Sequence, residues 1–173
     1  RFFDGIPDDD TVEKVYENLD FSRGVEAFFN DMPAASLYAM REGFRSQGAD
    51  NQTVLTWETL MDSKSLFLTA NSETVYSGMW LDLKNGPLVL ETPPNILGLI
   101  DDFWFHYVGD IGNAGPDRGK GGKFLLLPPG YKGEVPEGYF VFRSATYGNW
   151  FFFRSFLVNG DPKPGVDNVK RLF

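Results

Sequence analysis

The chain has 173 residues, 42% hydrophobic and 23% charged, the size and make-up of one soluble globular domain that can bury a core. A formal charge of -8 with no basic stripe excludes a nucleic-acid backbone as partner. The absence of cysteine excludes disulfides, thiolate nucleophiles and cysteine-ligated zinc, and no apolar run reaches the roughly twenty residues of a membrane-spanning helix.

The first 52 residues read as helical. Asp9 or Asp10 can cap a helix in which Val12, Val15, Tyr16 and Leu19 recur at the spacing of one buried stripe. Acidic residues crowd this start, as expected of a solvated face. A second helical stretch runs over residues 22–46, where Pro33 should kink or split it because proline removes an intrahelical donor. Gly48 ends it. Asn51-Gln52-Thr53 fits the glycosylation sequon, which matters only in a secreted eukaryotic setting.

From Thr53 onward short β-branched and aromatic runs alternate with Gly, Pro and Asn, so residues 53–173 are expected to be β structure. The strands predicted are Val54–Trp57, Ser65–Thr69, Thr74–Leu83, Leu88–Thr92, Leu99–Val108, Phe124–Leu127, Tyr139–Ser144 and Asn149–Val158. Asn85-Gly86-Pro87 suggests a hairpin between the third and fourth. With no helices between strands, the expected class is mainly β with N-terminal helices (α+β), an antiparallel sandwich packed on by the helical segment. Large rings on both faces of Trp150–Phe156 mark a central strand covered on both sides. Val166–Phe173 starts a helical pattern that is marginal without something to pack on, from which a longer polypeptide or docking on another chain is expected.

Candidate chemistry gathers between Leu66 and Asp110, which holds the lone histidine, His106. As a regular strand, Leu99–Asp110 puts Asp102, Trp104, His106 and Asp110 on one face, where Asp102 or Asp110 can orient His106 for proton transfer or simply hydrogen-bond it. Asn71 and Glu73 lie in the loop before Thr74–Leu83, and Thr74, Tyr76 and Trp80 share a face of that strand. Glu73 with Asp82 or Asp102 has the composition of a glycosidase carboxylate pair, whereas Asn71 and Thr74 equally suit a turn fixed by side-chain to backbone bonds. The Gly109–Gly122 loop lacks the spacing of a phosphate-binding loop and reads as a mobile loop offering Arg118, Lys120 and Lys123 to an acidic ligand. There is no nucleophile elbow, several-histidine zinc is excluded, no EF-hand is present, and the residues specify no metal set or cofactor.

FFDGIPDDDTVEKVYENLDFSRGVEAF, LTANSETVYSGMWLDL, GPLVLETPP, GGKFLLLPPGYKGEVPEGY and WFFFRSFLVNGDP, in this order, resemble the family termed domain of unknown function 1254. Its Asn-x-Asp-Thr-x-Tyr core reads here Asn71, Ser72, Glu73, Thr74, Val75, Tyr76, with Glu73 keeping the charge on a longer arm. The resemblance implies a jelly-roll-like β-sandwich after helices, and a bacterial periplasmic, envelope or secreted protein. It also implies a longer chain continuing into a second β domain, domain of unknown function 1214. It implies no activity.

Two uses remain open. In one, Asn71, Glu73, Tyr76, Asp102 and His106 line a hydrolytic or ligand-processing cleft, with Glu73, His106 and Asp102 as catalytic candidates. In the other, a non-catalytic module binds a small molecule, glycan or partner (the second β domain or another copy) through Asn71, Thr74, Tyr76, Trp80, Trp104 and Arg118.

Overall fold

A computed structural model describes residues 1–67 and 69–173. After a short ribbon of β1 (Phe2–Phe3) and β2 (Ile6–Pro7), one helix, α1, runs over Asp9–Ser46. Asp8 caps it, with extended backbone and a carboxylate accepting from the Thr11 N–H at 3.0 Å. The two expected helices are thus one, and Pro33 lies inside it. This stretch is largely exposed, so water can serve the carbonyl that proline leaves without a donor. At 38 residues the helix is about 57 Å long. Only Leu37 and Phe44 are buried along it, whereas Val15 and Tyr16 of the expected buried stripe are 58% and 62% exposed. The last turns of α1 therefore pack on the β structure and the earlier ones do not.

The strands are β3 (Val54–Thr56), β4 (Thr74–Asp82), β5 (Leu88–Thr92), β6 (Ile96–Asp102), β7 (Tyr107–Gly112), β8 (Gly122–Leu127), β9 (Phe140–Arg143) and β10 (Gly148–Phe156). They form a five-stranded sheet, β3-β4-β10-β6-β7, and a three-stranded sheet, β5-β8-β9. Met79, Leu81, Ile96, Ile100, Phe151 and Phe153 of the first share one core with Leu90, Phe124 and Leu126 of the second, which makes the fold sandwich-like. All pairs in the five-stranded sheet are antiparallel, but β8 and β9 run parallel, a departure from the all-antiparallel expectation. Nor do β4 and β5 form a hairpin. The turn at Asn85-Gly86-Pro87 carries the chain from one sheet to the other, with Gly86 at φ 121°.

As its rings suggest, β10 is central: Phe151 and Phe153 face the shared core, while Trp150 and Phe152 face outward beneath α1 and the loops. Two glycines make room for rings. A methyl group at Gly78 would sit 2.8 Å from Phe44 of α1, and one at Gly109 would sit 2.6 Å from the Phe142 ring. Of the strand expected over Ser65–Thr69, Leu68 lies outside the described residues and the other four residues are not in a strand.

The closing helix α2 (Lys163–Leu172) finds its support within the chain. Val166 and Val169 are buried, Val169 in the shared core, and Gly165 lets the helix approach Ser155 of β10. Among the described residues no helix is long and apolar enough to cross a membrane.

Candidate functional site

The expected strand Leu99–Val108 is a hairpin. Asp102 ends β6, and its carboxylate accepts from the N–H groups of Trp104 at 2.7 Å and His106 at 3.0 Å. Its own N–H donates to the His106 carbonyl at 2.8 Å, and Phe105 takes a left-handed φ of 64° to close the turn. The sequence contains no glycine or proline here, so the turn is made by one carboxylate. As a result Trp104 and His106 do not alternate along a strand face. The His106 side chain is 75% exposed, with Nδ1 3.3 Å from Asp102, and Trp104 is 41% exposed beside it. Asp102 works as a turn cap first and a histidine partner second.

The Asn71 motif is built in the same manner. Asn71 Oδ1 accepts from the Glu73 N–H and the Thr74 hydroxyl, both at 2.9 Å. The Asn71 backbone N–H and Nδ2 each donate to the Tyr76 hydroxyl at 2.9 Å. These bonds lock the entry to β4 and engage only the backbone of Glu73, which is exposed.

Register separates the two groups. Tyr76 of β4 lies opposite Arg154 of β10, and Asp102 of β6 lies opposite Asn149 of the same strand. The interval from Asn149 to Arg154 is roughly 17 Å of strand. The single cleft joining Asn71, Glu73 and Tyr76 to Asp102 and His106 does not form. Trp80 is also corrected: at 2% exposure it belongs to the core beneath α1, against Phe44 and Trp150, rather than to a surface platform. Arg118 is exposed in a loop that is pinned rather than mobile, because buried Asp117 accepts from the N–H groups of Gly112 at 2.8 Å and Gly121 at 3.1 Å. Asn51 of the sequon is engaged too, accepting from Arg41 and donating to Asp82.

What the sheet does gather lies on its outer face, since paired residues on neighbouring strands project to the same side. One row runs Tyr76, Arg154, Leu97; the next runs Gly78, Phe152, Leu99, Asp110; the third runs Trp80, Trp150, Asp101, Tyr107. The first two rows border a cavity of about 290 Å³ with Phe67 and Ala70 on its rim. Phe152 forms an aromatic wall, stacked on Tyr76 at 5.2 Å and on Phe67 at 5.4 Å. Tyr76 is 5% exposed and already accepts two bonds from Asn71, so its hydroxyl proton is left for a group in the cavity. Arg154 has no ion-pair or hydrogen-bond partner among the described residues, while Asp110 accepts one bond from Tyr107 at 3.0 Å. In the third row buried Asp101 is pushed up to about 6, mainly by burial and then by the like charges of Asp102 and Asp110.

Arg154 and Asp101 are thus the residues that sequence reasoning missed. The signal for Arg154 was present: a cation alternating with Trp150 and Phe152 on one side of a strand covered on both faces has to be accounted for. The described residues contain no group of three or more acidic or histidine side chains arranged to hold a metal.

The profile of the family described as Protein of unknown function (DUF1254) matches residues 51–173. The chain belongs to this family. The match takes in both the Asn71 motif and the outer-face cavity. No curated protein matches the chain. Among solved structures, the VPA0106 protein from Vibrio parahaemolyticus is similar, with a TM-score of 0.59 and 16% identity over 82% of this chain. The similar region is 34% of that protein's chain, so this DUF1254 chain spans about a third of it. At that identity the likeness concerns fold alone.

Proposed function

We propose that the chain is a binding module that takes a small organic anion with an apolar body into the outer-face cavity. The observation that carries this reading is the pairing of Arg154 with Tyr76, a cation without a protein partner among the described residues beside a hydroxyl whose acceptor sites are filled by Asn71. A carboxylate or phosphate there receives two charge-assisted bonds, and Phe152, Leu97 and Leu99 cover the apolar remainder. Asn71 and Thr74 are positioning residues in this scheme. Binding is preferred to hydrolysis because exposed Glu73 does not line the cavity and His106 lies beyond the other end of β6. An envelope or exported setting, and a place beside a second β domain in a longer protein, belong to the same proposal. They are supported by the family resemblance and by the greater length of the Vibrio relative.

Thermal-shift and tryptophan-fluorescence titrations with a panel of aliphatic and aromatic carboxylates and phosphates test it. Arg154→Met should weaken the best anion by about 10-fold or more, the size of a lost charged hydrogen bond of about 1.5–3 kcal/mol. Equal affinity in wild type and Arg154→Met, or no anion that binds the wild type, overturns the proposal.

A further inference from the structure

The same cavity carries a second charge that an anion alone does not use. Asp110 lines it from β7, opposite Leu99, while Arg154 lines it from β10, opposite Leu97. Two strand spacings and two residues of rise separate their Cα atoms, roughly 12 Å by sheet geometry. No ion pair joins these two opposite charges among the described residues, although both border one apolar-walled space. Half-buried opposite charges that face one cavity without closing on each other favour a ligand that bridges them.

Resting on the reading of the cavity as an anion site, we infer that its ligand is a zwitterion of the α-amino-acid type with an apolar side chain. The carboxylate binds Arg154 and the Tyr76 hydroxyl, and the ammonium binds Asp110. Tyr107 occupies only one oxygen of Asp110, donating to Oδ2, so Oδ1 is open to the ammonium. Buried Asp101, on the same face and nearer Asp110 than Arg154 in the register, adds negative potential on the ammonium side. The apolar side chain lies on Phe152 and Leu97. A volume of about 290 Å³ suits a single amino acid with a large side chain.

Calorimetric titration of the full chain with L-leucine, 4-methylpentanoate and L-leucinamide separates the two charges on one carbon skeleton. Leucine should bind at least 10-fold more tightly than either singly charged probe. In Asp110→Asn that advantage over 4-methylpentanoate should vanish, while 4-methylpentanoate itself binds no more weakly than to the wild type, since a negative charge has left the wall of its cavity. The wild-type comparison alone decides the matter if the variant is unstable. Should 4-methylpentanoate match or exceed leucine, the zwitterion inference fails and the anion site stands. Leucine failing to bind while another carboxylate binds has the same meaning, and failure of every anion removes both readings.

Discussion

Asp101→Asn should make the protein more stable above neutral pH and bring no gain in acid. Asp101 sits between Trp150 and Tyr107 at 6% exposure, and no hydrogen bond satisfies its carboxylate among the described residues. Its pKa is raised from 3.8 to about 6 by burial first, then by Asp102 and Asp110. A carboxyl group raised in this way binds its proton more tightly in the folded than in the unfolded chain. Stability is therefore undiminished below the unfolded value near 3.8, falls as pH rises towards 6, and stays reduced above it. At 1.36 kcal/mol per pKa unit the ionised group costs about 3 kcal/mol above pH 6. Asparagine keeps the shape and removes the charge, and its own buried amide takes back about 1 kcal/mol. The net gain at pH 7.5 is therefore about 2 kcal/mol. Urea unfolding of both proteins from pH 4 to 8, followed by tryptophan fluorescence, measures it. The difference between the two curves cancels the carboxylates distant from Asp101 and leaves only its coupling to Asp102 and Asp110. A difference that is flat across pH, or that grows as pH falls, refutes the assignment of a strained buried carboxylate.

The turn before β7 supplies a contrasting pair. Asp102→Ala should cost about 2–3 kcal/mol because the Trp104 and His106 N–H groups lose their acceptor, whereas His106→Ala should stay within about 0.5 kcal/mol. Thermal melts of both variants check this, and equal losses would mean that the imidazole holds the turn. Gly109→Ala should destabilise by about 1–3 kcal/mol through collision with the Phe142 ring, and Phe142→Leu in the same chain should recover part of the loss. If the double variant melts below Gly109→Ala, the collision is not the cause.

Much of the architecture is legible locally. Six of the eight expected strands, all but Ser65–Thr69 and Leu99–Val108, fall on observed ones, because period-two runs bounded by Gly, Pro and Asn describe each strand by itself. The central place of β10 follows from rings on both its faces. Where the reading failed, a non-local or single-atom cause is at work. The break at Asp102 depends on one carboxylate turning back on two N–H groups and on a left-handed Phe105, neither of which periodicity reports. The α1 stripe at Val12–Leu19 has the spacing of a buried face, yet spacing does not say whether anything lies opposite.

The candidate site divides in the same way. That Asn71, Thr74 and Tyr76 form a unit is written in their five-residue proximity and in the hydrogen-bonding reach of an asparagine amide. That Tyr76 shares a cavity with Arg154 and Asp110 rather than with His106 is a property of strand order and register, which place β10 and β6 between β4 and β7. Composition and local pattern determined the class, the strands and the polar turn, because these depend on each residue and its near neighbours. The company each side chain keeps across the sheet was decided by the folded structure, because pairing residues 78 positions apart is settled by the packing of both faces at once.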